Sequence, residues 1–192
     1  MLEGRNGVTT NTPKRTLFGA GTIHKGLKYA DGKWNFAESI VGATSGGSSL
    51  SIVPEIYTVE ADGAYVATKG LNKKVGEAAT LEVNFLELTP DILKAALIAD
   101  IGESDDINFD LYESKADIVE GDYWENIAFV GETLEGKKVI AILDNALCTS
   151  GMELGGESKK ETVGKYTFTS HGELDSTLDK LPWHIYYPKT TA

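Results

Sequence analysis

Apolar and polar residues alternate along most of the recognisable elements of this chain, and one stretch alone switches to a helical period. Leu81, Val83 and Phe85 alternate with Glu82 and Asn84, the pattern of a strand with one wet face. Thr89 then stands as an N-cap, Pro90 occupies the first helical position, and Asp91 suits the positive helix start. Leu93, Ala96, Leu97 and Ile101 share one helical stripe, and Gly102 supplies the stop. This strand–helix unit contains the one helix that the pattern predicts.

The remaining periodicity is that of strands. Leu17 to Ile23 reads as a first strand in which Gly19 and Gly21 permit a bulge. An extended loop covers residues 31–49; it opens on the tight-turn pair Asp31-Gly32 and closes on Gly42 to Gly47, which reads as loop or hairpin-tip material. Ser49 to Glu60 is extended, and Pro54 within it excludes a central strand. Asp62-Gly63 turns the chain, and Tyr65 to Leu71 reads as a short strand. Ile107, Phe109 and Leu111 alternate with Asn108 and Asp110, so a strand is expected there. Ile127 to Val130 and Lys138 to Leu147 form a hairpin turning near Glu135-Gly136, and Leu154 to Gly164 is a loop. Tyr166 and Phe168 mark a later strand, and Trp183, Ile185 and Tyr187 a last one, docked on its own sheet or on a neighbour's. The expected fold is mainly β, a β-sandwich or partial barrel of two packed sheets with one flanking α-helix. Residues 1–15 read as a flexible polar arm, and 16–192 as one domain.

Composition changes the picture in two respects. An apolar fraction of 41% with 21 glycines in 192 residues is lean for a compact globule, so partner subunits are expected to cover surface. The net charge of −11 is unevenly spread: ten acids lie between Asp100 and Glu125 against Lys115 alone, whereas Arg5, Lys14, Arg15, Lys25 and Lys28 oppose only Glu3 in the first thirty residues. A solvated face and a polar tail account for this without any function. The two regions are also complementary, the basic arm of one copy against the acidic surface of another. The overall sign argues against tight nucleic-acid binding. No apolar run is long enough to cross a bilayer, and the polar start lacks a secretory signal. Cys148 stands alone, which fits synthesis in a reducing compartment, and reads as a small residue at a strand end.

Candidate chemistry is sparse. Gly42 to Ser49 has the glycine spacing of a phosphate loop, but Ser48 stands where the lysine belongs and no helix follows. Gly19-Ala20-Gly21 lacks the third glycine of a dinucleotide fingerprint. His24, His171 and His184 have no partner at metal-ligand spacing, and no Gly-x-Ser-x-Gly elbow occurs. Asp105, Asp106 and Asp110 offer oxygens for calcium but lack the order of an EF-hand loop. Trp34, Trp124 and Trp183 read as core or interface anchors rather than a sugar platform. No catalytic residue, metal site or cofactor is nominated.

The order of elements from Leu17 to Ile101 resembles the major tail tube proteins of tailed bacteriophages. The resemblance is carried by GAGTIHKG after a free arm, the Gly/Ser-rich GATSGGSSLSI, and EIYTVEADGAYV ending in an Asp-Gly turn. TKGLNKKVGEA and the strand–helix unit ATLEVNFLELTPDILKAAL complete it. The likeness is to the type found in long flexible non-contractile tails, related in turn to other phage tails and injection devices. It covers about half of the chain and is one of pattern and order, without the additional immunoglobulin-like domain of some relatives.

The resemblance implies a virion protein, made in the host bacterial cytoplasm, that assembles into six-fold rings stacked as a hollow tube. One sheet of each subunit would join its neighbours in a continuous inner β-barrel. The implied partners are further copies of the chain, a tape-measure protein, tail terminator and tail-tip or baseplate proteins, and double-stranded DNA that passes without specific binding. Arg5, Lys14, Arg15, Gly42, Ser45, Gly46, Gly47 and Trp183 are the expected contacts between copies. Asp105, Asp106, Asp110, Asp117, Glu120 and Asp122 are expected to line the lumen or the ring face, where acids repel the DNA backbone. The competing class is a monomeric β-sandwich that binds calcium or carbohydrate. A tube subunit needs no catalytic site, so an enzyme is not expected.

Overall fold

The computed structural model describes residues 7–63, 65–174 and 180–189. Its first half contains α1 (Thr12–Arg15), β1 (Leu17–Lys25), β2 (Tyr29–Ala30), β3 (Lys33–Trp34), α2 (Phe36–Ser39), β4 (Thr44–Thr58), β5 (Asn72–Phe85) and α3 (Pro90–Leu97). The second half contains β6 (Ala99–Gly102), β7 (Leu111–Ser114), β8 (Trp124–Thr133), β9 (Lys138–Cys148), β10 (Gly164–Ser170) and β11 (Trp183–Tyr186). The fold is mainly β, as the alternation predicts. Seven strands pair in the order β1-β8-β9-β10-β5-β4, with β11 beside β9, and β2–β3 and β6–β7 form separate two-stranded ribbons.

The large sheet curls on itself. The Val41 N–H donates to the Ile23 carbonyl at 3.0 Å, and His24 bridges Ile40. The segment leading into β4 thus meets β1, the strand at the other end of the order. Alternate side chains of β5, β8, β9 and β10 point into the enclosed core: Leu81, Val83, Phe85, Ile127, Leu143, Ala146, Tyr166 and Phe168. Trp124 lies against Phe168 with ring centroids 4.7 Å apart. Leu27, Ala128, Val130, Ile140 and Ile142 form a second cluster on the outer face of β8 and β9, covered by Trp34 and Phe36. Burial on both faces explains why the sequence of β9 is almost continuously apolar rather than alternating.

Several local expectations are corrected. Helix α3 starts as predicted, with Thr89 Oγ1 accepting from the Ile92 N–H at 3.3 Å. It buries Ile92, Ala95 and Ala96, however, and ends where Ile98 turns left-handed (φ 49°), before Gly102. Strand β6 begins at Ala99 and claims the backbone that a longer helix would need. The expected loop at 31–49 holds β3, α2 and the start of β4 instead: β4 pairs Thr44 with Phe85 and Ser48 with Val83, so Ser45, Gly46 and Gly47 bulge out between them. Positive φ at both glycines, 81° and 83°, makes that bulge possible. Pro54 is consistent with its place, since β4 ends the strand order. The strand expected at Tyr65 to Leu71 is absent, and that at Ile107 to Leu111 is reduced to β7 from Leu111 onward. The arm reading is also modified, because Thr12–Arg15 form a helical turn and the Thr16 carbonyl accepts from the Leu134 N–H at 3.0 Å.

Candidate functional site

The feature of this fold that its own core does not explain is the outer half of the β4–β5 hairpin. Near its base the pairing Leu50–Leu81 and Ile52–Ala79 faces the core. Beyond that point Val53, Glu55 and Tyr57 pair with Ala78, Gly76 and Lys73, and a register shift after Glu55 leaves Val75 as the extra residue. Val53, Ile56, Tyr57 and Val75 are each more than half exposed, on a ribbon with no covering layer among the described residues. The ribbon ends in a loop closed by the Val59 N–H on the Leu71 carbonyl at 2.8 Å. That loop surrounds a cleft of about 690 Å³ lined by Val59, Tyr65, Val66 and Leu71 among others. An isolated hairpin is marginal in water, so one bearing this much apolar surface is a candidate interface.

One ion pair lies within β5 near the base of the hairpin. Lys74 Nζ lies 2.6 Å from Glu77 Oε1. Lys74 holds the Glu77 carboxyl below the usual range, while the buried Trp183 Nε1 has no hydrogen-bond partner among the described residues. Trp183, expected at a contact between copies, is half-buried and packs against the chain's own core from β11.

The acidic stretch separates into two parts. Asp105, Asp106, Asp110, Asp117 and Glu120 are exposed, in keeping with a charged face. Asp122 is not a surface acid: its carboxylate is buried and sits 2.6 Å from Lys115 Nζ, and it accepts from the Val119 N–H at 2.8 Å. Burial pushes this carboxyl up, but the Lys115 and Val119 contacts outweigh it and leave it lowered. The single base in the acidic stretch is thereby consumed inside the fold. Between the two strands of the β6–β7 ribbon, the loop carrying Asp105, Asp106 and Asp110 presents Ile107, 99% exposed, and Phe109, 69% exposed. These are the apolar residues of the expected strand, turned to solvent rather than to the core.

The other expected contact residues are dispersed. Lys14 and Arg15 lie on α1, and Gly42 sits against the Glu87 side chain ahead of β4. Ser45, Gly46 and Gly47 form the β4 bulge, where Asn84 Nδ2 donates to the Gly47 carbonyl at 3.2 Å. Arg5 lies outside the described residues. The sequence reading missed the β4–β5 hairpin as a surface because Tyr57, Val59, Tyr65 and Val66 look like ordinary strand residues. The signal that could have found it is Pro54 together with apolar residues at both even and odd positions after Ile52, which no half-buried strand can hide.

The histidines serve structure. His24 is fully enclosed; its Nε2 lies 2.8 Å from Thr22 Oγ1 and its Nδ1 2.9 Å from Ser39 Oγ. Ser39 Oγ donates to the Asn35 carbonyl at 2.9 Å, so Nδ1 carries the imidazole proton and Nε2 accepts. Burial, reinforced by Lys138, pushes the His24 pKa down to about 4. Because the folded value lies below the unfolded one, its contribution is complete above pH 6.5 and is lost as the pH falls toward 4. The expected loss is up to about 3 kcal/mol. Thermal melts at pH 7 and pH 4.5 should show the wild type falling more than His24→Gln; equal slopes would refute this role for His24.

Among the described residues no three His, Cys, Asp or Glu side chains are placed to share a metal ion. The tryptophans are likewise separate: Trp124 is in the core, Trp34 packs on Phe36 and Tyr186, and Trp183 packs against the core from β11. No helix among the described residues is long and apolar enough to cross a membrane. Comparison with models of known families and with characterised proteins finds no match to this chain.

Proposed function

We propose that this chain is a structural subunit that polymerises with copies of itself, in the manner of a phage tail tube, as six-fold rings stacked into a hollow tube. The observation that carries the reading is the β4–β5 hairpin, whose outer half offers apolar side chains and a strand edge with nothing among the described residues to cover them. In a monomer such a ribbon invites uncontrolled pairing. In a closed ring or stack the same edge and side chains are satisfied by the neighbouring copy. The lean core and the glycine-bulged strand fit a subunit that completes its burial on assembly. In this reading the exposed acids, Asp117 and Glu120 among them, give the assembly a surface that repels phosphate and lets double-stranded DNA pass without adhering.

The tape-measure protein and tail-end proteins are the further partners that the resemblance suggests. The reading requires no reaction, cofactor or metal. A binding module of the same fold would instead be a stable monomer, melting higher in the presence of calcium or glycan. Sedimentation velocity over a concentration series separates the two. Growth from monomer to ring-sized and larger species supports polymerisation. A monomer at every concentration, stabilised by ligand, contradicts it.

A further inference from the structure

We propose that the acidic loop between β6 and β7 of one copy docks on the basic end of the large sheet of the next, where α1, the start of β1 and the β8–β9 turn meet. This rests on the assembly reading above and names a second contact, apart from the hairpin. The loop is held in shape by its own hydrogen bonds. Ser104 Oγ donates to the Asp106 carbonyl at 2.9 Å and accepts from the Asp106 N–H at 3.2 Å. The Asp106 carboxylate accepts from the Asn108 backbone at 3.0 Å and from Asn108 Nδ2 at 2.7 Å. These bonds fix a short turn that leaves Ile107 and Phe109 in water, and a knob ordered in advance loses little conformational freedom when it docks. Glu103, Asp105, Asp106 and Asp110 flank the two side chains, all exposed and none in an ion pair among the described residues. No lysine or arginine lies between Asp100 and Glu113.

The receiving end is gathered by the register of β1 on β8. Leu17 pairs with Thr133 and Phe18 with Glu132, and α1 ends on Arg15 beside the Thr16 carbonyl that accepts from the Leu134 N–H. Thr133 Oγ1 accepts from the Lys137 N–H at 3.2 Å, which brings Lys137 to the same place. Phe18, 74% exposed, and Leu17 and Leu134, each about half exposed, form the apolar centre. Lys138 is matched by Glu132 at 2.6 Å. Among the described residues Lys14, Arg15 and Lys137 make no ion pair, and Glu135 is the acid beside them that makes none. Each surface therefore has an apolar centre and a charged rim, and the rims are opposite in sign.

The two surfaces belong to opposite ends of β8. Lys115 Nζ, 2.6 Å from Asp122, anchors the β6–β7 ribbon just before Trp124, whereas the basic end adjoins Thr133. Ten strand residues separate these anchors by about 30 Å, and strands of four residues reach back about a third of that. The loop and the basic end thus meet only between copies. Because they are different patches, the contact is head-to-tail and repeats from copy to copy, as stacking requires.

The test is a charge swap in the full-length chain, read by sedimentation velocity with thermal melts as the folding control. Lys14→Glu, Arg15→Glu and Lys137→Glu together should weaken polymerisation by about 100-fold, and so should Glu103→Lys, Asp105→Lys and Asp110→Lys together, because each set faces like with like. Asp106 is kept because it holds the turn. All six substitutions in one chain restore opposite signs across the contact and should return polymerisation to within about tenfold of the wild type. Ile107→Ser leaves every charge in place and should weaken polymerisation by about tenfold with an unchanged melting temperature, since the side chain is free in the monomer. If the wild type polymerises but a folded set of three does so equally well, the sixfold variant stays as weak as its parents, or Ile107→Ser has no effect, the loop contact is wrong while the assembly reading stands. If the wild type itself never polymerises, both fall.

Discussion

Replacing Val53 and Tyr57 together by aspartate leaves the chain folded and suppresses its self-association by about 1,000-fold. Both residues are more than half exposed in the monomer, so a carboxylate at either position stays solvated and the core is untouched. Between copies the same positions are expected at the centre of a desolvated contact, where losing an apolar anchor costs about 2 kcal/mol or more. Two such losses amount to about 4 kcal/mol, or roughly three powers of ten in the association constant. Aspartate is a poor strand residue, and β propensities span about 1 kcal/mol, so the melting temperature should fall only slightly. Sedimentation velocity paired with thermal melts reads both quantities. A variant that polymerises like the wild type would remove the hairpin from the interface.

The largest loss of stability from a single surface-strand position is expected at Gly21. This residue has φ +70° in the bulge that shifts β1 against β8 between Phe18 and Thr22. A Cβ there would collide with the Phe129 ring and come within 2.9 Å of the Val130 carbonyl. The same ring lies over Gly131, where an added Cβ would come within 3.0 Å of it. Gly21→Val combines a left-handed backbone, about 1–2 kcal/mol, with overpacking of about 1–3 kcal/mol. A total of about 4 kcal/mol lowers the melting temperature by about 10 °C for a domain of this size. Gly19→Val is the comparison: its φ is +92° but nothing lies within 4 Å of the added carbon. A Gly19 variant as damaged as the Gly21 variant would show that backbone strain, and not the Phe129 slot, sets the cost.

The parts of the fold that were legible in the sequence are those in which local chemistry and tertiary packing agree. Thr89 and Pro90 start α3, the alternation of Leu81 to Phe85 marks the core face of β5, and Trp183 to Tyr186 docks as an edge-directed strand. The errors arose where one local pattern serves two environments. Ile107 and Phe109 alternate like strand residues, yet the Asp106 side chain caps a turn between them, and a carboxylate two residues away leaves no trace in hydrophobic periodicity. Gly46 and Gly47 look like a loop, but positive φ in a bulge calls for the same residue. Asp122 could not be told from its exposed neighbours because its burial depends on Lys115, seven residues away, folding back over it. The candidate interface was legible only as a shortage of apolar core; its location required the register of β4 on β5, which the turn at Asp62-Gly63 hints at but does not fix.

The central claim is that the chain polymerises. Negative-stain electron microscopy of the purified wild type, dilute and then concentrated, tests it most directly. Hollow rings with six-fold symmetry, or striated tubes built from them, are the result expected here. A field of uniform single subunits that persists at high concentration, and in the presence of a tape-measure or tail-tip partner, would contradict it.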